Sequence, residues 1–137
     1  MTNSTPIARK VSIVVPVYNE EGNLPRLLPR LVPVLEGLGR PWEVIFVDDG
    51  SRDRSLAILK EAAGAFPGSV KAVELLRNAG QHMAIMAAFG ETDGAYVITL
   101  DADLQNPPEE IPKLVAKMDE GHDVVGFPQS PPTCADC

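Results

Sequence analysis

An α/β fold with a mostly parallel sheet and helices on both faces follows from three features of this 137-residue sequence. Short β-branched runs alternate with segments whose apolar residues recur at helical spacing, the pattern of successive β-α-β units. Such units are right-handed and return each strand parallel to the last, so the strands' carboxyl ends converge on one edge. Acidic pairs stand where two of the apolar runs stop, Asp48-Asp49 and Asp101-Ala102-Asp103. Ligands of open parallel sheets bind outside that edge, so two acidic clusters there point to a site.

The elements can be justified in order. Val11 to Tyr18 is the first strand, and Pro16, which has no N–H, limits how far its ladder extends. Asn19 to Asn23 makes a turn with Asn23 as helix cap. Leu24, Leu27, Leu28, Leu31, Val32 and Leu35 then recur at helical spacing. Pro25 suits a first turn, whereas Pro29 and Pro33 predict a kinked or loosened helix. Gly37, Gly39 and Pro41 punctuate, and Trp42 to Val47 is a second strand ending in Asp48-Asp49-Gly50-Ser51. Arg54 to Ala65 has helical composition, with Leu56, Ile58 and Leu59 as its apolar face and Ser51 or Asp53 as cap. Val70 to Leu76 reads as a third strand, Asn78-Ala79-Gly80 as a turn, and Gln81 to Phe89 as a short helix. Thr92-Asp93-Gly94 turns back into the Tyr96 to Leu100 strand. Pro107 and Pro108 forbid that strand from continuing and open a last helix to Glu120, capped by Asn106 and stopped by Gly121.

Composition narrows the classes. Hydrophobic residues make up 45% and charged residues 23%, the balance of a folded domain with a core. A net charge of −7 argues against a nucleic-acid groove and leaves any anionic ligand to local devices such as metals or helix N-termini. No run approaches the ~20 apolar residues of a membrane span. Met1 to Ala8 lacks the apolar stretch of a signal peptide. Cys134 and Cys137 form an isolated C-x-x-C at the end, readable as a weak metal or redox pair or as an incidental feature of a tail.

Asp101 and Asp103 are the candidate chemistry. Two carboxylates one residue apart share a side only if the backbone stays extended past the strand. So placed, they suit a divalent cation that takes oxygen ligands. The same Asp, Asn and Pro residues also build ordinary turns.

Three separated motifs carry a family resemblance: Val14-Val15-Pro16-Val17-Tyr18-Asn19-Glu20-Glu21, Val47-Asp48-Asp49-Gly50-Ser51 and Leu100-Asp101-Ala102-Asp103-Leu104-Gln105. In this order and spacing the chain resembles family 2 glycosyltransferases, whose fold is the Rossmann-like GT-A domain. Arg77-Asn78-Ala79-Gly80-Gln81-His82 and the run from Asp101 to Pro112 resemble the polyprenyl-phosphate branch of that family. The resemblance implies a nucleotide-sugar donor, UDP-linked, and a polyprenyl acceptor such as undecaprenyl phosphate, used at the cytoplasmic face of the plasma membrane.

It also implies roles at the matching positions. Pro16, Tyr18 and Glu20 hold the uridine, with Tyr18 stacked on the base, and Asp49 pairs with the uracil. Asp103 ligates Mg²⁺ or Mn²⁺ directly, and Asp101 lies near ribose and metal, so these two are the catalytic pair. Asp48 orients the turn that presents Asp49. Arg77 either balances the acidic edge or touches diphosphate, and His82 is either packed, solvated or functional.

The resemblance covers Val11 to Gly126. It implies a short flexible segment over 1–10, the donor-binding half over 11–126, and a Pro-rich, loop-like tail over 127–137 outside the family pattern. Family members continue with an acceptor-side half, so transfer by these residues alone is not expected. A nucleotide-binding remnant without transfer activity is the alternative.

Overall fold

The computed structural model describes residues 10–75, 81–92, 94–105 and 107–121. Four strands, β1 (Val11–Val17), β2 (Trp42–Asp48), β3 (Val70–Glu74) and β4 (Tyr96–Thr99), form one sheet in the order β3-β2-β1-β4. Every pairing is parallel, with Val11 opposite Trp42 and Tyr96, and Val44 opposite Val70. The helices are α1 (Leu24–Glu36), α2 (Ser55–Ala65), α3 (Gln81–Phe89) and α4 (Ile111–Asp119).

Alternation along the strands builds two apolar layers. Ile13, Val15, Val44 and Phe46 face the leucines of α1, Leu59 of α2, and Ile111, Leu114 and Val115 of α4. Val14, Ile45 and Val47 face Ala84 and Ala88 of α3 on the other side. Helices thus cover both faces, as expected, but three pack on one and one on the other. Small Ala residues let α3 approach the sheet closely, while Met83, Met86 and Phe89 remain on its exposed side.

Several boundaries depart from expectation for physical reasons. Helix α1 is continuous through Pro29 and Pro33, where burial of Leu24, Leu27, Leu31, Val32 and Leu35 offsets the two missing donors. Asn23 stands at the cap position but makes no side-chain cap bond; its amide nitrogen reaches Glu20 Oε1 at 3.5 Å instead. In α2 the buried face is Ser55, Leu59 and Ala62, with Leu56 and Ile58 only half-buried. Strand β3 stops at Glu74, and the final helix opens with a 3-10 turn at Pro108–Glu110 before α4 begins. Asn106, the Asn78-Ala79-Gly80 turn and Asp93 lie outside the described residues.

Pro16 limits the ladder as expected. Val14 O accepts the Leu100 N–H, so residues of that parity direct their backbone toward β4. Pairing with β4 ends at Val14 opposite Thr99, and Pro16 sits two residues beyond, where no donor is required.

Two ion pairs fasten the last helical segment to the first, one from α1 to the 3-10 turn and one from the loop after α1 to the end of α4. Arg30 meets Glu109 at 2.6 and 3.0 Å, and Arg40 meets Asp119 at 2.7 and 3.3 Å. Tyr96 Oη also donates to Asp119 at 2.7 Å. The amino-terminal edge of the sheet carries a buried acid, Glu43, which accepts from Ser12 Oγ and lies 3.0 Å from Lys71 Nζ and 3.6 Å from Lys10 Nζ. Gly94 closes over this group, donating its N–H to Ser12 Oγ at 3.0 Å. A Cβ at Gly94 would come within 2.3 Å of that oxygen.

Candidate functional site

The opposite, carboxyl-terminal edge collects the expected site residues. Strand order reverses between β1 and β4, the position at which open α/β sheets leave a crevice. Tyr18, Asn19 and Glu20 leave the end of β1 on one side of it, and Asp101 to Leu104 leave β4 on the other. Asp49 follows β2, its N–H bound to Val17 O at 2.8 Å.

Exposure sorts these residues. Tyr18 is 43% exposed, Pro16 and Glu20 are half-buried, and Asp48 and Asp49 are buried. Asp48 has the turn-orienting geometry expected of it, with Oδ2 accepting the Ser51 N–H at 3.2 Å.

Extended geometry does not persist through Asp101-Ala102-Asp103, contrary to the condition set for the pair to share one side. The chain turns: Ala102 is buried, Asp101 is half-buried, and Asp103 is exposed. Leu104 adopts a left-handed backbone with φ of 66° and packs against the core. A leucine rarely holds that conformation, and burial of its side chain is what compensates here. Asp103 Oδ1 accepts the Gln105 N–H at 3.2 Å, which fixes the carboxylate in an Asx turn.

Electrostatics link Glu20 after β1 to the acids after β4 and to Asp53. The Glu20 carboxyl is pushed above its ordinary value of 4.5, first by burial and then by the charges of Asp103, Asp53 and Asp101, with Asn23 opposing. Asp53 is held below its ordinary value: burial works against this, but Ser55 and the Ser55 and Glu21 amides prevail. The crevice is therefore a region of negative potential that a cation would relieve.

Among the described residues, no three His, Cys, Asp or Glu side chains converge as a metal cage. Mg²⁺ and Mn²⁺ shared with a substrate need less, because one or two carboxylates plus phosphate oxygens and water complete the shell. The donor set of Asp101 and Asp103 fits such an ion.

Residues not singled out as site components prove to organise it. The β1–α1 and β2–α2 turns are laced together: the Asn19 N–H donates to Ser51 Oγ at 2.9 Å and the Glu20 N–H to Ser55 Oγ at 2.7 Å. The Glu21 N–H donates to Asp53 Oδ2 at 3.2 Å and the Arg52 N–H to Asn19 Oδ1 at 2.8 Å. The sequence signal was the run of Asn, Ser and Asp in both turns, residue types whose side chains bind local backbone. Arg77 lies outside the described residues, as does the side chain of His82. An apolar groove of about 640 Å³ lies elsewhere, between α1 and α2, lined by Leu28, Pro29, Val32, Ile58 and Phe66 among others.

A parallel sheet with acidic turns gathered at its switch point defines an open α/β domain with a crevice at its carboxyl-terminal edge, and the family comparison says which. The glycosyl transferase family 2 pattern matches residues 12–131, and the chain belongs to that family. Its structural neighbours have the GT-A fold.

More particularly, the chain is similar to undecaprenyl-phosphate 4-deoxy-4-formamido-L-arabinose transferases. It is 59% identical over 121 residues to that of Klebsiella pneumoniae, covering 88% of this chain and 37% of the relative. To that of Salmonella paratyphi B it is 52% identical over 126 residues, covering 92% and 38%. The chain thus spans under two-fifths of these relatives' length.

Among solved structures, a mannosyltransferase from Pyrobaculum calidifontis in complex with GDP-Man and Mn²⁺ superposes with a TM-score of 0.66 at 25% identity. That match covers 78% of this chain and 31% of the other. TarS from S. aureus in complex with UDP-GlcNAc gives 0.65 at 26% identity, covering 88% and 37%. The expected family, its polyprenyl-phosphate branch and the fold class are thereby borne out.

Proposed function

We propose that these residues form the donor-binding half of a glycosyltransferase that moves a sugar from a UDP-linked donor to undecaprenyl phosphate. The observation that carries this reading is the meeting of three motifs at one crevice: the turns after β1 and β2 are bonded to each other through Asn19, Glu20, Ser51 and Ser55, and the Asp101–Leu104 turn leaves the adjacent β4. Tyr18, exposed at the strand end, offers a face for the base, and Pro16 and Glu20 flank the uridine. Asp49 pairs with the uracil, and Asp101 lies toward the ribose. Asp103, with Asp101, holds Mg²⁺ or Mn²⁺.

In the proposed reaction an oxygen of the lipid phosphate forms a bond to the anomeric carbon. The bond from that carbon to the diphosphate oxygen breaks, and its electron pair leaves on UDP. A phosphate monoester with a second pKa near ~6 is mostly dianionic at neutral pH, so the acceptor needs no general base. Asp103 and Asp101 would hold the divalent cation, which would supply electrostatic stabilisation of the leaving diphosphate. The chain's own work is to hold the donor in line through Tyr18, Glu20 and Asp49 and to keep the Asp101–Asp103 turn in place by burying Ala102 and packing the partly buried Leu104 against the core. The relatives' names support the acceptor, and the UDP-GlcNAc and GDP-Man complexes support a nucleotide-sugar donor with metal. Because the chain spans under two-fifths of the relatives, transfer is proposed for a protein of their length and donor binding for the residues described. Action at a membrane's cytoplasmic face belongs to the same proposal; among the described residues no helix is long and apolar enough to cross a bilayer.

Calorimetric titration of UDP in Mn²⁺ and in EDTA tests the reading. Binding in Mn²⁺ that weakens in EDTA is expected, with Asp103→Asn removing most of the metal-dependent part and Tyr18→Ala weakening both conditions alike. Equal affinity in Mn²⁺ and EDTA would refute the metal role, and no binding in either would refute the donor site.

A further inference from the structure

We infer that Asn19 is a positioning residue that locks the nucleotide-binding edge into shape before any nucleotide arrives. The inference rests on the proposed donor site and extends it to a residue with no role there. Asn19 stands between Tyr18 and Glu20, and its backbone is left-handed, with φ of 53°. Its side chain and its amide both cross to the neighbouring turn: Oδ1 accepts the Arg52 N–H at 2.8 Å, and its own N–H donates to Ser51 Oγ at 2.9 Å.

The next two amides cross as well, Glu20 to Ser55 Oγ and Glu21 to Asp53 Oδ2. Three consecutive N–H groups after Tyr18 are thus held by side chains 32 to 35 residues away in sequence. Asp49, at the start of that second turn, is fixed independently by its N–H to Val17 O.

The consequence is a fixed distance between Tyr18 and Asp49. Asn is one of the few side-chain-bearing residues that tolerates a left-handed backbone, and it alone here also supplies an acceptor for the facing turn. A residue lacking both properties would let the chain relax toward an ordinary conformation and swing Tyr18 and Glu20 away from Asp49. Fixing a site in advance removes ordering entropy from binding, so its loss appears as weaker affinity rather than unfolding.

The test compares Asn19→Ala, Asn19→Gly and Ser51→Ala with the wild-type 137-residue chain, using UDP as probe. Gly keeps the left-handed backbone and loses only the acceptor. One hydrogen bond is worth roughly a few-fold in an equilibrium constant, so Asn19→Gly and Ser51→Ala are expected to weaken UDP binding about threefold. Asn19→Ala loses backbone compatibility as well and is expected to weaken it about tenfold. The ratio of affinities in Mn²⁺ and EDTA should stay at the wild-type value in all three, a pattern that general loosening of the domain would not produce.

Amide hydrogen exchange without nucleotide reads the lacing directly. The Asn19, Glu20 and Glu21 amides should exchange slowly in the wild type and fast in Asn19→Ala. Folded Asn19→Ala with wild-type UDP affinity would overturn the inference. Unprotected amides in a wild type that binds UDP would overturn it too, and leave the donor site standing. Protected amides in a wild type that does not bind UDP would instead overturn the donor site.

Discussion

The two edges of the sheet treat their acids in opposite ways. At the amino-terminal edge, Glu43 is fully buried but faces Lys71 and Lys10 and accepts from Ser12 Oγ, so its charge is met in place. At the carboxyl-terminal edge, Asp48, Asp53 and Asp103 accept backbone amides, and Glu20 is pushed up by burial and its acidic neighbours. Amides orient a carboxylate without cancelling its charge. The first edge is thus electrostatically finished and serves the fold, whereas the second keeps negative potential, as a cation-dependent anion site requires.

The largest effect should come from breaking the finished edge. Glu43→Ala removes the acceptor of Ser12 Oγ and leaves a gap under two lysines that keep some solvent contact, so a loss of about 2–4 kcal/mol is expected. Denaturant unfolding checks it, and a loss no larger than that of a surface variant would mean the pair is solvated. Gly94→Ala attacks the same group sterically, since the added Cβ meets Ser12 Oγ and backbone. Overpacking of this kind costs about 1–3 kcal/mol. Neither variant touches the crevice, so any surviving folded protein should keep UDP affinity.

The other edge should respond to pH and metal. The folded value of Glu20 lies above the unfolded one, so ionising it costs stability as pH rises from about the ordinary 4.5 through the folded value. Glu20→Gln should therefore be more stable than wild type at neutral pH and indistinguishable from it well below that range. Mn²⁺ should raise the wild-type melting temperature by neutralising the same charges, and Asp103→Asn should blunt the rise. A melting temperature unmoved by Mn²⁺ even with UDP present would mean that the acidic edge does not bind the ion.

The difference between the edges also explains what could be read from residues alone. The carboxyl edge was legible because its chemistry is local: strand, then acid, then turn former, repeated at Asp48-Asp49 and Asp101-Asp103. Tyr18, Glu20 and Asp49 entered through motif resemblance, and the fold places them at one end of the sheet without testing their roles. A turn after Asp101 was one of two readings the Asp, Asn and Pro residues allowed, but nothing in Asp101-Ala102-Asp103 announces that Leu104 will fold back onto the core. The amino edge was invisible because Glu43, Ser12, Lys71 and Gly94 are scattered over the sequence and meet only through parallel register. The continuous α1 shows tertiary burial overriding a local rule, with five buried residues offsetting two prolines.

The smallest effect should come from the pair that links α1 to the 3-10 turn after the acidic turn. Arg30 donates to both carboxylate oxygens of Glu109, six residues after Asp103, yet both side chains are substantially solvated. Exposed ion pairs contribute little and are screened by salt. Arg30 draws the Glu109 carboxyl below its ordinary value of 4.5. A lowered folded value gives stability that is present above the unfolded value and lost as pH falls through the folded one. Arg30→Ala should therefore lower the melting temperature slightly at pH 7 and low salt. The difference should shrink in high salt and vanish once acid has protonated Glu109. If Arg30→Ala instead weakens UDP binding in Mn²⁺ without moving the melting temperature, the pair sets the position of the Asp103 turn, and the boundary between fold and site shifts to include α1.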